Sequence, residues 1–162
     1  MVQMEDKGNQ EVKELDLYRE TPVRYLGYAN EVGEAFRSII GAKWVNFTYF
    51  VATLYVLADA SDKSVKSFKI NKNEKNHIQK VLYTTSDTLI WQLLASVAIP
   101  GFTINRLCFT ADILLKKSGK LPPGTRKWIV TGIGLSAIPF IIKPIDDFVD
   151  YALDKSIRKL QP

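Results

Sequence analysis

The residues of this chain that could do chemistry are few and poorly placed for it. Cys108 is the sole cysteine, which excludes an intrachain disulfide and a four-cysteine metal site. Its neighbours Leu107 and Phe109 mark it as a buried, inert thiol. His77 is the sole histidine and stands in the polar stretch NKNEKNHIQK, where a solvated loop residue is expected rather than a general base or a ligand. No Ser/His/Asp or Cys/His arrangement can be assembled from this material. The stretch DASDKS has too few carboxylates, at the wrong spacing, for a calcium loop. The lysines at 63, 66, 69, 72, 75 and 80 lack aromatic interleaving, a phosphate-cradling glycine loop and zinc spacing, so nucleic acid is not an expected partner. Classical hydrolase chemistry is not expected, and these residues call for no cofactor and no metal.

The polar residues that remain of interest sit at the borders of apolar blocks. Asp87, Gln92, Asn105 and Arg106 fall in or beside the stretch DTLIWQLLASVAIPGFTINR, where they can organise helix ends and contacts between helices. Asp87 and Arg106 bracket it, so their charges can reach opposite headgroup layers. Pro100 would deprive the carbonyl of Ser96 of its helical partner and clash with that turn, so a bend over Ser96 to Gly101 is expected. The serine hydroxyl can help satisfy the freed group, and Gly101 permits close packing or a sharper bend.

Three stretches carry no charge at all: Trp44 to Ala58 (15 residues), Thr88 to Asn105 (18) and Trp128 to Ile142 (15). As helix these reach about 22, 27 and 22 Å, against a bilayer core of about 30 Å. Extending the first back to Ile39, with Lys43 snorkelling to a headgroup, gives a 20-residue span over 39–58. Trp44 and Tyr55 near its ends suit interfacial anchoring. A solvated helix face would carry charge every three or four residues, and none interrupts Val45 to Ala58. The third block repeats the motif of the second, with Ala137-Ile138-Pro139 answering Ala98-Ile99-Pro100. Gly132 and Gly134 within it favour close helix contact.

Two amphipathic helices are expected to flank these blocks. Over 22–40, Tyr25, Tyr28, Ala29, Val32, Phe36, Ile39 and Ile40 recur at three and four, with Asn30, Glu31, Glu34 and Arg37 largely opposite. Thr21 before Pro22 reads as a start signal, and Ala29 with Gly33 makes a small-xxx-small pair suited to a close neighbour. Over 144–160, Pro144 suits the first helical position, with three aspartates early and Lys155, Arg158 and Lys159 late, as the helix dipole favours. Residues 1–16 read as a mobile polar tail, 59–87 as a polar connection, and KKSGKLPPGTRK as a turn. The N-terminal residues lack both a secretory core and the arginine-rich, acid-poor character of a cleavable presequence.

The fold expected is therefore all-α: a multi-pass membrane bundle of about three hydrophobic helices, two of them interrupted by proline, flanked by amphipathic helices within one domain over 17–162. Orientation stays open. The loops 59–87 and 106–127 each carry six Lys and Arg, so the positive-inside rule does not choose between them.

The stretches DLYRETPVRYLGYANEVGEAFRS, YVLADASDK, DTLIWQLLASVAIPGFTINR, RKW, IPFIIKPID and SIRKL, in order over most of 16–160, resemble the mitochondrial fission process protein 1 family. The resemblance implies a non-enzymatic, multi-pass protein of the mitochondrial inner membrane that promotes fission and maintains inner-membrane integrity. It also implies adaptor work beside inner-membrane proteins such as the adenine nucleotide translocase, and a functional link to the dynamin-related fission machinery. Two other classes compete with that reading. A small pore or carrier-like conductor of protons or solutes suits proline-broken helices but finds no ionisable residue inside any apolar block. A soluble helical binding module suits the shortness of the first and third blocks.

Overall fold

Helices account for all the regular structure in the computed structural model, which describes residues 16–160. The polar tail expected over 1–16 thus lies, apart from Asp16, outside the described residues. Helix α1 (Leu17–Glu20) is followed by a 3-10 turn, Pro22–Tyr28, and by α2 (Ala29–Ile40). Thr21 caps the 3-10 turn, its hydroxyl accepting the amide of Val23 at 3.3 Å, with Pro22 at the start where a missing N–H costs nothing. Gly41, at φ 80, reverses the chain in a single residue and opens α3 (Ala42–Asn71).

After a short turn, α4 (His77–Gln92) passes through a π-helical turn, Leu93–Ala98, into α5 (Ile99–Ser118). The bend predicted at Ser96 to Gly101 takes this form. The amide of Ile99 reaches back five residues to the carbonyl of Leu94, so the wider register absorbs the donor that Pro100 lacks without breaking the helix. Gly119, left-handed at φ 63, ends α5, and α6 (Pro123–Lys155) closes the fold with a 3-10 turn over Ile157–Leu160.

Three expected boundaries move, the first being the span over 39–58, which cannot start at Ile39 because Ile39 and Ile40 end α2 and the chain reverses at Gly41. The connection over 59–87 is mostly helix, since α3 runs 30 residues and α4 begins at His77. Most of its charges sit on the sides of a helical hairpin, Lys72, Glu74 and Lys75 remain in the turn, and Asp59 is buried. The C-terminal amphipathic helix does not start at Pro144, because α6 runs 33 residues through both Pro139 and Pro144, whose exposed rings face away from the packing surface.

The elements form a four-column bundle. The N-terminal arm, residues 16–40, and the α4–α5 column run one way, and α3 and α6 run the other. Gly33 faces Thr48, Ser64 meets Thr85, Cys108 meets Val130, and Asn30 reaches Val97. Helix α2 packs on α3, α5 and α6 together.

The distribution of residue types in this bundle is inverted. Asn30, Glu31, Glu34, Asp59, Gln92 and Thr131 are buried, while Trp44, Phe47, Phe50, Leu54 and Leu57 form an exposed stripe on α3, joined by Phe102, Phe109, Trp128 and Phe140 elsewhere. The apolar core clusters are small, one around Ala35, Ile104, Cys108 and Val130 and one around Ala95, Val149 and Leu153. Two helical stretches, His77–Ser118 and Pro123–Lys155, are long and apolar enough to cross a membrane, and only 28% and 22% of their apolar windows is buried inside the protein. Each large side chain left in water forfeits roughly 1.5–3 kcal/mol of burial, a loss that vanishes against hydrocarbon.

Candidate functional site

Helix α2 shows the inversion most directly. Of its apolar stripe, Tyr25 just before it and Val32, Ile39 and Ile40 are exposed and Tyr28, Ala29 and Phe36 half-buried, while Asn30, Glu31 and Glu34 turn inward. Positions 30, 31, 34 and 37 share that inner face because each step of three or four residues returns close to the same side of a helix.

Glu34 is the most heavily bonded of them. Its carboxylate accepts two bonds from Arg37, each 2.7 Å, one from the Tyr49 hydroxyl at 2.9 Å and one from the Asn105 amide at 2.9 Å. Three elements, α2, α3 and α5, are thereby tied at one buried carboxylate, with the arginine fork supplying two parallel charge-assisted bonds. One turn earlier, the Asn30 side chain donates to the Val97 carbonyl at 3.0 Å, inside the π turn. Glu31, only 1% exposed, has no hydrogen-bond partner for either carboxylate oxygen, nor has Oδ1 of Asn30. Two unequal carboxylates therefore face the same interior.

Toward the other end the polar chain continues through Gln92. Its amide nitrogen donates to buried Asp59, and its oxygen accepts the Ser96 hydroxyl at 2.6 Å. Asp59 is also held by Lys63 at 2.9 Å. At the bundle end Arg158 reaches Asp87 at 2.9 Å, Asp150 at 2.8 Å and Asp154 at 2.9 Å, and Trp91 donates to Asp150 at 2.9 Å. The contact with Asp87 above all, supported by Asp154 and Asp150, holds the Arg158 guanidinium well above its ordinary range.

The glycines decide how closely the columns approach. A Cβ on Gly33 would strike the Thr48 side chain. A Cβ on Gly101 would lie 2.9 Å from the Asn30 amide and closer still to the Tyr49 hydroxyl. One on Gly134 would lie 2.7 Å from the Cys108 sulfur and 2.9 Å from Cβ of Ala35. Gly101 thus serves close packing. Gly132, expected to do the same, faces open space.

Two cavities flank this interior. One of about 260 Å³ lies among Tyr18, Arg24, Tyr55, Gln92, Ser96 and Asp146. The other, of about 340 Å³, opens between α2, α5 and α6 beside Glu34, Arg37, Ser38, Asn105 and Arg106. Among the described residues no group of three or more His, Cys, Asp and Glu side chains could hold a metal ion.

The residues singled out from sequence divide as follows. Gly33, Gln92, Ser96, Pro100, Gly101 and Asn105 come together around the polar interior. Asp87 stands at one end with Arg158, and Arg106 at the cavity mouth, stacked on Phe102 and Phe109 at 5.7 and 5.2 Å. Ala29 is half-buried, and Pro139 and Pro144 lie on the outside of α6. Sequence reasoning missed Glu31, Glu34, Tyr49 and Asp59. The signal for the two glutamates was the polar stripe of α2, as regular as the apolar one; Tyr49 and Asp59, on α3, had no such stripe.

A family model described as mitochondrial 18 kDa protein (MTP18) matches residues 15–153. The chain is 53% identical to "Mitochondrial fission process protein 1" of Caenorhabditis elegans, over 93% of this chain and 92% of that one. It is 54% identical to the Homo sapiens protein of the same name, over 92% and 90%, and 51% identical to that of Danio rerio, over 97% and 95%. No solved structure matches.

Proposed function

The chain belongs to the mitochondrial 18 kDa protein (MTP18) family, and from that membership and the inverted bundle we propose that it is a multi-pass protein of the mitochondrial inner membrane. It promotes fission and maintains inner-membrane integrity as a non-enzymatic adaptor, beside inner-membrane proteins such as the adenine nucleotide translocase and in functional connection with the dynamin-related fission machinery. The names of its relatives support the process. The observation that carries the membrane reading is the burial of Asn30, Glu31, Glu34, Asp59 and Gln92 inside a shell of exposed aromatic and aliphatic side chains. In water that arrangement gives up apolar burial and desolvates polar groups together; in a bilayer both costs reverse.

We further infer four crossings, one more than the three expected from hydropathy. The N-terminal arm lies alongside the other three columns, with Asn30 and Glu34 bonded to them and Tyr25, Val32, Ile39 and Ile40 facing outward. Twelve α-helical residues and seven in 3-10 geometry reach about 32 Å, enough for the hydrocarbon core. Four crossings put both termini on one side of the membrane, whereas three would separate them.

Protease accessibility of tags at each terminus, in intact and outer-membrane-stripped mitochondria, tests both points. Equal fates for the two tags and resistance to carbonate extraction are the expected results; opposite fates would restore three crossings, and release by carbonate would remove the protein from the membrane. Purification as a stable monomer without detergent would instead select the soluble binding module.

One observation favours a conductor as the second reading. The ionisable groups absent from the apolar blocks are supplied to the interior by α2 and by Asp59, between two cavities. Proton or solute flux in liposomes, lost in Glu31→Gln, would promote that reading, and tight liposomes would dismiss it.

A further inference from the structure

The cavity between α2, α5 and α6 is lined by two arginines, Arg37 and Arg106, and two carboxylates, Glu34 and Asp112, and the two carboxylates are not both spent on the lining arginines. Glu34 is saturated by Arg37, Tyr49 and Asn105, and Asp112 is held by Arg126 at 2.8 Å. Arg106 has no such partner. Its guanidinium bonds only the neutral Asn105 side-chain oxygen, at 2.6 and 3.0 Å, and among the described residues no carboxylate forms an ion pair with it. Ser38, which also lines the cavity, carries a buried hydroxyl oxygen without a hydrogen-bond partner. The opening therefore presents an exposed cation to whatever enters, with the Asn105 amide engaged beside it and an unpartnered hydroxyl buried in the wall.

The position of the opening identifies its surroundings. Trp44 and Trp128, 64% and 63% exposed, begin α3 and α6 at this end of the bundle, and Cys108 meets Val130 close by. Aromatic side chains of this kind mark the headgroup level of a bilayer. The segment 106–127 that rims the same end carries six Lys and Arg against one Asp. Exposed Phe102 and Phe109, on which Arg106 stacks, continue the surface toward the apolar stripe.

We propose that the cavity bounded by Arg37, Ser38, Asn105 and Arg106 is a binding site for the phosphate of an anionic phospholipid, whose acyl chain lies along Phe109 and the outer face of α5. The charge complements a phosphate, the planar guanidinium can bond two of its oxygens, and the adjoining apolar face accepts hydrocarbon rather than water. Arg106 is the principal contact. Arg37 is held by Glu34 and sets the wall.

This site rests on the membrane reading above, and one experiment separates their failures. The full chain, purified in detergent and stripped of lipid, is offered phosphatidylglycerol or phosphatidylcholine, and retained lipid is counted by native mass spectrometry. The expected result is about a tenfold preference for phosphatidylglycerol, unaffected by inorganic phosphate and abolished in Arg106→Gln. Arg106→Lys should keep part of it, because a point charge replaces the fork. Lys120→Gln, which removes the same charge outside the cavity, should leave it whole. Equal retention of both lipids by the wild-type protein, or equal loss of preference in Lys120→Gln and Arg106→Gln, would overturn the site. Displacement of lipid by inorganic phosphate would assign the cavity to a free anion instead. A chain soluble without detergent would fail at the membrane reading before lipid is offered.

Discussion

Gly33 of α2 lies against Thr48 of α3 so closely that no side chain fits between them, the threonine hydroxyl occupying the place a Cβ would take. The single-residue reversal at Gly41 brings the two helices together there. Gly33→Ala should lower stability by about 1–3 kcal/mol, the usual cost of overpacking. Thr48→Ala in the same chain should recover part of the loss, since it removes the hydroxyl and methyl that the new carbon meets. Thermal unfolding in detergent reads both, and an unchanged midpoint in Gly33→Ala would mean that the two helices do not pack at this distance.

Glu31 and Glu34, one turn apart and both buried, should respond differently to replacement by glutamine. Glu34→Gln leaves Arg37 without its buried counter-charge and is expected to cost about 3 kcal/mol. Glu31→Gln exchanges one unpartnered buried polar group for another and should be close to neutral. Equal effects of the two substitutions in the same unfolding assay would refute the assigned partners.

Arg158 joins α4 to the end of α6 through Asp87, Asp150 and Asp154. Its side chain is 26% exposed, so solvent weakens the network, and Arg158→Ala should cost about 1 kcal/mol. The loss should shrink in high salt, where exposed charges are screened. A salt-independent loss would point to packing of the arginine stem instead.

Cys108 is buried between Val130 and Gly134, with a sulfur to carbonyl distance of 3.8 Å to Val130. The folded protein should resist a maleimide and react fully once unfolded in sodium dodecyl sulfate. Rapid labelling under native conditions would show that α5 and α6 separate.

Much of this architecture was legible in the residue order. The Thr21-Pro22 start, the irregular helical turn before Pro100 and the burial of Cys108 each follow from local chemistry. Pro100 removes a donor wherever its helix is placed, and a lone thiol between Leu107 and Phe109 prefers burial in any fold. The segment over 59–87 misled because charge spacing does not distinguish a loop from the solvated sides of a helical hairpin. Pro144 misled for a related reason, since a proline that starts one helix can equally continue another when its ring faces outward.

By itself the sequence determined that the chain is helical and that long uncharged stretches alternate with charged ones. The tertiary structure alone decided which side of each helix is the inside. An amphipathic pattern has the same periodicity whether its apolar stripe meets a core or lipid, so the stripe over Tyr25 to Ile40 and the opposing one over Asn30 to Arg37 carry no label of direction. Only the arrival of Tyr49 and Asn105 at Glu34, from helices 15 and 71 residues away in the chain, made the polar face the interior.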